Sequence, residues 1–282
     1  MLELNKTYSD NQKIFDELLI GSGVVVFRNI FELDQIYEAK KIVNYFANNQ
    51  EQKETHFNAE AESTGKIHLQ QRVWNLFGKS SIFSDIITHD LIFNLMSKFL
   101  GSDFFCGSYC ASRLLPGAPG QEMHLDYPYW DYYNDKTFPI GLNSSFPQNC
   151  QVTIPLDECS AISGATGYIP GSQKKLHYPN KNDDFSNIQQ MIGNPGDIIF
   201  FNGNCWHGAM PNKSENQRAA ILIEFLPKYI KPVEDLVSYL EDEFKQNSTP
   251  RIRQLLGLNY EYPKVMDVSK SVNQIGIGYK VK

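Results

Sequence analysis

The chain has 282 residues, 41% of them hydrophobic and 21% charged, with a net charge of −6. That length and balance allow a full hydrophobic core, and one large domain accommodates the whole chain. The acidic balance, with no basic run of five or more residues, excludes the broad cationic surfaces that nucleic acid and anionic membranes require.

The first residues, MLELNKTYSDNQ, contain no positive segment followed by an apolar stretch, so no signal peptide is expected. The longest apolar runs, such as Ala219–Phe225, fall far short of the roughly 20 residues that cross a bilayer. Cys106, Cys110, Cys150, Cys159 and Cys205 form no CxxC pair or zinc-like cluster, which fits reduced thiols in a cytoplasmic protein.

In chain order, apolar residues at three- and four-residue spacing predict helices over Asp10–Ile20 and Leu33–Asn48, with a short strand, Val24–Phe27, between them. The same spacing predicts one helix over Ile82–Leu100, stopped by Gly101. From Phe104 the pattern changes to short β-prone runs: Phe104–Leu115, Cys150–Leu156, Thr166–Ile169, Asp197–Phe201 and Arg218–Leu226. Turn clusters such as PGAPG, SGATG and GNPGD separate them. Helical spacing returns over Leu236–Phe244 and Pro250–Leu256, before a polar, β-prone tail. The expected fold is mainly β with flanking helices: a double-stranded β-helix, or jelly roll, of cupin-like form. One domain would span residues 1–282, with a helical part at 1–100, a jelly-roll core at 104–226, and C-terminal helices and tail at 227–282.

Two segments carry chemistry. In Gln121-Glu-Met-His124-Leu-Asp126-Tyr-Pro-Tyr-Trp130, an extended backbone would project His124 and Asp126 to the same face. One imidazole and one carboxylate make up two thirds of the facial triad that holds non-haem Fe(II) and leaves coordination positions open. An isolated HxD is common, so its weight comes from the second segment, Gly196 to Arg218. There His207 lies near the end of a strand, and Arg218 follows the turn Pro211-Asn-Lys-Ser-Glu-Asn216. A hairpin around that turn without a bulge would set His207 opposite Arg218 on one face. An arginine so placed could grip a carboxylate whose other end reaches the metal. Fe(II) with Asp126, a 2-oxoglutarate dianion and Arg218 sums to zero charge, which avoids burying a net charge. His56, His68, His89 and His177 read as ordinary loop or surface histidines.

At these residues the sequence resembles the phytanoyl-CoA dioxygenase family of Fe(II)/2-oxoglutarate oxygenases, over roughly residues 70 to 226. The segment Arg72-Val-Trp-Asn-Leu with the following Ile82–Leu100 resembles the family's helix before its first core strand. His124 and Asp126 match its HxD, His207 its distal histidine, Arg218 its co-substrate arginine, and Ser163–Ser172 its turn that runs into the PGSH motif. Gly196-Asp197 matches its strand start. The resemblance implies Fe(II), 2-oxoglutarate and O2 as cofactor and co-substrates, with release of succinate and CO2 and hydroxylation or desaturation of a small molecule. Asp126 separates the chain from halogenating relatives, which lack that carboxylate. Trp130 matches a tryptophan beside 2-oxoglutarate in some members. Two positions depart from the pattern: Gln173 replaces the histidine of PGSH, and Ala209 replaces a serine that helps hold the co-substrate, a role Thr153 could take over.

Tyr127, Arg113 and Arg72 are the substrate candidates, with the rest of the aromatic stretch to Tyr133 as a pocket wall. No basic cluster suited to the phosphates of coenzyme A stands out, which favours an amino acid or natural-product intermediate. Two other readings stay open: a non-catalytic jelly-roll binder, and a cupin-type metalloenzyme that does not use 2-oxoglutarate. Oligomeric state is not legible.

Overall fold

The computed structural model describes residues 1–49, 59–126, 146–175 and 177–259. Its elements, in order, are β1 (Leu2–Asn5), α1 (Asn11–Leu19), β2 (Val24–Arg28), α2 (Leu33–Asn49), α3 (Ala59–Ser63), β3 (Gln70–Val73), α4 (Ser81–Ile87), α5 (Asp90–Phe99) and β4 (Phe105–Leu114). They continue with β5 (Cys150–Pro155), β6 (Thr166–Tyr168), β7 (Gln189–Gln190), β8 (Ile198–Asn202), β9 (His207–Ala209), β10 (Arg218–Leu226), α6 (Asp242–Asn247) and α7 (Pro250–Leu255). A seven-stranded sheet runs β1-β2-β8-β5-β10-β4-β3, and a three-stranded sheet runs β7-β6-β9. Two facing sheets braced by helices give the expected jelly-roll arrangement.

Alternation along the strands explains how the layers hold together. On the large sheet, Val25, Phe27, Val152, Ile154, Ile198, Phe200, Ile221 and Ile223 face the helices and join one core with Ile14, Ile36, Phe83, Leu236 and Ile252. Residues of opposite parity, Val24, Val26, Ile199 and Phe201, turn inward and pack with Tyr168, Met191 and Cys205, closing the small sheet over the large one. The helices obey the same logic. Asp10 caps α1 by accepting from the Lys13 amide at 3.2 Å, and Ile14 and Leu18 form its buried stripe.

Two helical expectations change. The segment Ile82–Leu100 is two helices. Thr88 Oγ1 turns back on the Ser84 carbonyl at 2.7 Å, and His89 leaves helical dihedrals (ψ 135°) to accept from the Leu91 amide. His89 is therefore the N-cap of α5, a break that apolar spacing does not register. The second helix ends before Gly101, whose φ of 107° suits glycine. Leu236–Phe244 is mostly turn: Asp235 Oδ1 accepts from the amides of Val237 and Ser238, a local bond that competes with helix. Leu236 and Leu240 are buried all the same, and α6 begins only at Asp242.

Candidate metal centre

Among the described residues, His124, Asp126 and His207 are the one group of three possible ligands, with ligand atoms within 4.8 Å of one another. The pairing that creates it is a single antiparallel bridge. The His124 amide donates to the His207 carbonyl at 2.9 Å, and the His207 amide donates back at 2.8 Å. Directly opposed residues bring the imidazoles to 4.5 Å between centroids. The Asp126 amide donates to the Gly203 carbonyl at 2.9 Å, which turns its carboxylate back toward both rings.

The donor set fits a metal. Asp126 lies 3.2 Å from His207 Nε2 and 3.7 Å from His124 Nε2. Bonds of about 2.1 Å at right angles would separate such donors by about 3 Å. His124 Nδ1 meets the Glu122 carbonyl at 2.8 Å and His207 Nδ1 meets the Cys205 carbonyl at 2.8 Å. Each contact assigns the proton to Nδ1 and leaves Nε2 as the lone-pair donor. Burial, reinforced by the neighbouring His207, holds the His124 pKa below the usual imidazole value. In His207 burial also acts downward, but the charge and hydrogen bond of Asp126 outweigh it and the pKa is raised.

Behind the centre, Ser172 Oγ accepts from the Trp206 amide at 2.7 Å and donates to the Ile169 carbonyl at 2.7 Å. It thereby pins the chain one residue before His207. The Phe201 ring packs edge-on against His207 at 4.9 Å. Neither was singled out from sequence, although the strand parity of Phe201 and the PGS turn pointed to both. Gln173, in place of the family histidine, donates to the carbonyls of Leu19 and Gly21 at 3.4 and 3.2 Å and ties the end of α1 to the barrel.

Arg218 is buried at 3% exposure; its Nη2 donates to the Gly164 carbonyl, and its Nε has no hydrogen-bond partner among the described residues. Burial lowers its pKa from the usual guanidinium value, with Cys159 and Asp157 opposing that shift and Arg72 adding to it. It does not face His207 across a ladder, as the hairpin reading expected. Arg218 pairs with Leu114 in the large sheet, whereas His207 pairs with Tyr168 in the small one. The reason is that both edges of β9 are taken, one by β6 and the other by residues 121–124. The intervening turn instead docks on the end of β4, where Asn212 Nδ2 donates to the Leu114 carbonyl at 3.2 Å.

The other candidates divide by the face they occupy. Arg72 (β3) and Thr153 (β5) are buried on the inward face of the large sheet, and Arg72 reaches Cys110 Sγ at 3.6 Å. Arg113 points the other way. It donates to Gln71, Asn44 and Asn48 at 2.7, 3.1 and 2.7 Å, which makes it a clamp between β3 and α2 and removes it from the substrate side. Ala209 presents its amide to Gln121 Oε1 at 3.3 Å. Tyr127, Trp130 and the aromatic stretch to Tyr133 lie outside the described residues, as does His56.

Comparison with known proteins gives relatives in sequence and in fold. The chain is 27% identical over 190 residues to the dioxygenase trt7 of Aspergillus terreus, covering 65% of this chain and 63% of that one. It is 25% identical over 211 residues to the dioxygenase FrzG of a Cladobotryum species, covering 70% and 67%. It thus spans about two thirds of the length of these relatives. In fold it is similar to the epimerase SnoN of nogalamycin biosynthesis, solved with Fe3+, alpha ketoglutarate and nogalamycin RO (TM-score 0.59, 12% identity, 77% and 83% covered). It is likewise similar to HygX of Streptomyces hygroscopicus, solved with nickel, 2-oxoglutarate and hygromycin B (TM-score 0.58, 13% identity, 80% and 90% covered). The family model of phytanoyl-CoA dioxygenase (PhyH) matches residues 21–220, and the chain belongs to that family.

Proposed function

We propose that this protein is an Fe(II)- and 2-oxoglutarate-dependent dioxygenase that hydroxylates or desaturates a C–H bond of a small molecule. One observation carries the reading. Two imidazoles with Nδ1 already committed and one carboxylate converge on a point, and a buried arginine with a spare Nε lies on the inward face of the same barrel. When bound, iron supplies the O2 chemistry, coupled to decarboxylation of 2-oxoglutarate to succinate and CO2.

The chain's own residues hold, orient and enclose. His124, Asp126 and His207 would ligate the metal through Nε2, a carboxylate oxygen and Nε2, leaving the remaining positions to co-substrate and O2. Arg218 would receive the far carboxylate of 2-oxoglutarate, with Thr153 as a hydroxyl donor on the same inward face and Trp130 beside it. Arg72, also inward, would meet a polar group of the substrate, and Tyr127 would line its path. A separate structural role for Arg72 and Thr153 predicts that neither substitution alters substrate or co-substrate KM. The reading takes residues 1–282 as one catalytic domain, supported by the core that joins α1, α2, the seven strands of the large sheet and α7. It places the enzyme in the cytoplasm, supported by five free, buried cysteines, and without a nucleic-acid partner, supported by the net charge of −6. Among the described residues, no helix is long and apolar enough to cross a membrane.

The test is anaerobic titration of the protein with Fe(II) and then 2-oxoglutarate. The expected result is the weak visible metal-to-ligand band of the chelated co-substrate, with one equivalent of each bound. Metal binding without that band points to a cupin-type metalloenzyme, and no metal binding at all points to a non-catalytic binder.

A further inference from the structure

The three candidate ligands are held in different ways. His124 and His207 fix each other through their paired amide–carbonyl bridge. Asp126 lies beyond that bridge, after Leu125, which is anchored in a small core with Ile169 and Trp206. The Asp126 amide is tied instead to the Gly203 carbonyl, so the place of that carbonyl decides where the carboxylate points.

Gly203 sits in the turn from β8 to β9, closed by the Cys205 amide on the Asn202 carbonyl at 2.8 Å. Asn202 braces one side of this turn. Its Oδ1 accepts from the Asn204 amide at 3.0 Å, and its Nδ2 donates to the Leu18 carbonyl of α1 at 3.2 Å. Asn149 braces the other side. It stands one residue before β5, and the register that pairs Cys150 with Asn202 sets it opposite Gly203.

A Cβ on Gly203 would meet Asn149 Nδ2, Oδ1 and Cγ at 2.1, 2.2 and 2.4 Å. Near-equal distances to the three atoms mean that the amide presents its flat face to the Gly203 Cα. Gly203 is not among the glycines of positive φ, so backbone conformation does not demand a glycine here. Close approach does. Hydrogen bonding alone does not account for Asn149 either. The residue is fully buried, its Nδ2 reaches Glu224 Oε1 at 3.4 Å, and its Oδ1 has no hydrogen-bond partner among the described residues. A buried amide so weakly bonded costs stability, whereas its shape fills the space against the turn.

Resting on the ligand assignment above, we propose that Asn149 is a positioning residue for the metal centre: its amide seats Gly203, and the Gly203 carbonyl so held aims the Asp126 carboxylate. A mis-seated turn loosens that carboxylate, while the two imidazoles keep their own bridge.

The test measures Fe(II) affinity anaerobically, by competition with a chromogenic chelator, in the full chain and three variants. These are Gly203→Ala, Asn149→Ala and the two combined. Gly203→Ala drives a methyl into the amide and should weaken Fe(II) binding by about 10-fold or more, the usual cost of disturbing a group that orients a ligand. Asn149→Ala leaves space against the turn and should weaken binding by a smaller factor. The combined variant removes the clash, and the methyl introduced at position 203 fills part of the vacated space. It should bind Fe(II) within about threefold of wild type, since neighbours in contact are not additive. With Fe(II) and 2-oxoglutarate saturating, the visible band of Gly203→Ala should shift, and that of the combined variant should return to the wild-type position. A brace for the fold alone would lower the melting temperature in all three variants without this rescue. Gly203→Ala binding Fe(II) within about twofold of wild type overturns the proposal, and so does a combined variant that binds no better than Gly203→Ala. If Gly203→Ala does not fold, the combined variant decides: it should fold and bind Fe(II), and failure in either overturns the proposal. A wild-type protein that binds no Fe(II) overturns the metal-centre reading itself, whereas wild-type binding without the rescue overturns the role of Asn149 alone.

Discussion

Arg218 is a guanidinium at 3% exposure with its Nε unused, and one carbonyl, that of Gly164, holds its other side. On the proposed reading, the spare donor receives the far carboxylate of 2-oxoglutarate. Removing a bidentate, charge-assisted contact to a buried carboxylate costs roughly 2–5 kcal/mol, about 30- to several-thousand-fold in affinity. Arg218→Ala is expected to raise the apparent KM for 2-oxoglutarate over that range while retaining Fe(II), since the two sit in different sheets. Arg218→Lys should recover only part, because lysine keeps the charge and loses the planar fork. A 2-oxoglutarate KM within twofold of wild type in Arg218→Ala would show that the co-substrate is held elsewhere. The triad should behave in the opposite way. His124→Ala, Asp126→Ala and His207→Ala each remove one of three protein donors, so each should lose bound iron and turnover while the circular-dichroism spectrum stays unchanged. Near-wild-type turnover by iron-loaded His207→Ala would remove that residue from the ligand set.

The turn before β6 sets the arginine. Gly164 has φ +81°, and a Cβ there would stand 2.5 Å from the Met210 carbonyl oxygen and 3.1 Å from the Asn212 amide. Two costs therefore meet in Gly164→Ala: a left-handed backbone, about 1–2 kcal/mol, and a backbone clash that flexible side chains cannot relieve. The turn must move, and the carbonyl that holds Arg218 Nη2 moves with it. The variant should melt several degrees lower and show a raised 2-oxoglutarate KM at unchanged iron affinity. A lower melting temperature with an unchanged 2-oxoglutarate KM would show that this carbonyl braces the fold without aiming the arginine.

Ligand binding should be felt across the whole molecule, because the small sheet that carries His207 is closed onto the large sheet through one inner core of Val24, Val26, Ile199, Phe201 and Tyr168. On the proposed reading, iron held by His207 and 2-oxoglutarate held by Arg218 would bridge those two layers. At a hundredfold excess over Kd a ligand adds about 2.7 kcal/mol to the folded state, which corresponds to roughly 5–10 °C for a domain of this size. The melting temperature should rise by about that amount for each ligand added anaerobically, and removal of the metal with a chelator should reverse the rise. Arg218→Ala should keep the iron increment and lose the 2-oxoglutarate increment at the same concentrations. Equal increments in wild type and Arg218→Ala would contradict the assignment of that residue.

Much of this was legible in the order of residues. His124, Asp126, His207 and Arg218 stood out because each chemistry needs that residue type. Helices α1 and α2 and the long strands β4, β5, β8 and β10 followed from apolar period, which is a local property. The α4–α5 break was not legible, since a histidine cap at His89 interrupts the backbone without interrupting the apolar stripe. Strand parity separates Arg72 from Arg113 in principle, because opposite registers place them on opposite faces. It does not say which face looks inward; the packing of α2 on one side settles that, and it takes Arg113 for itself. The partner of β9 was also beyond local pattern. Adjacent strands joined by a turn favour a hairpin, but the segment 121–124 occupies that edge of β9. Residue type and period are written in neighbouring positions, whereas register and facing come from contacts far apart in the chain, where burial of the whole core selects one pairing among several that local sequence permits.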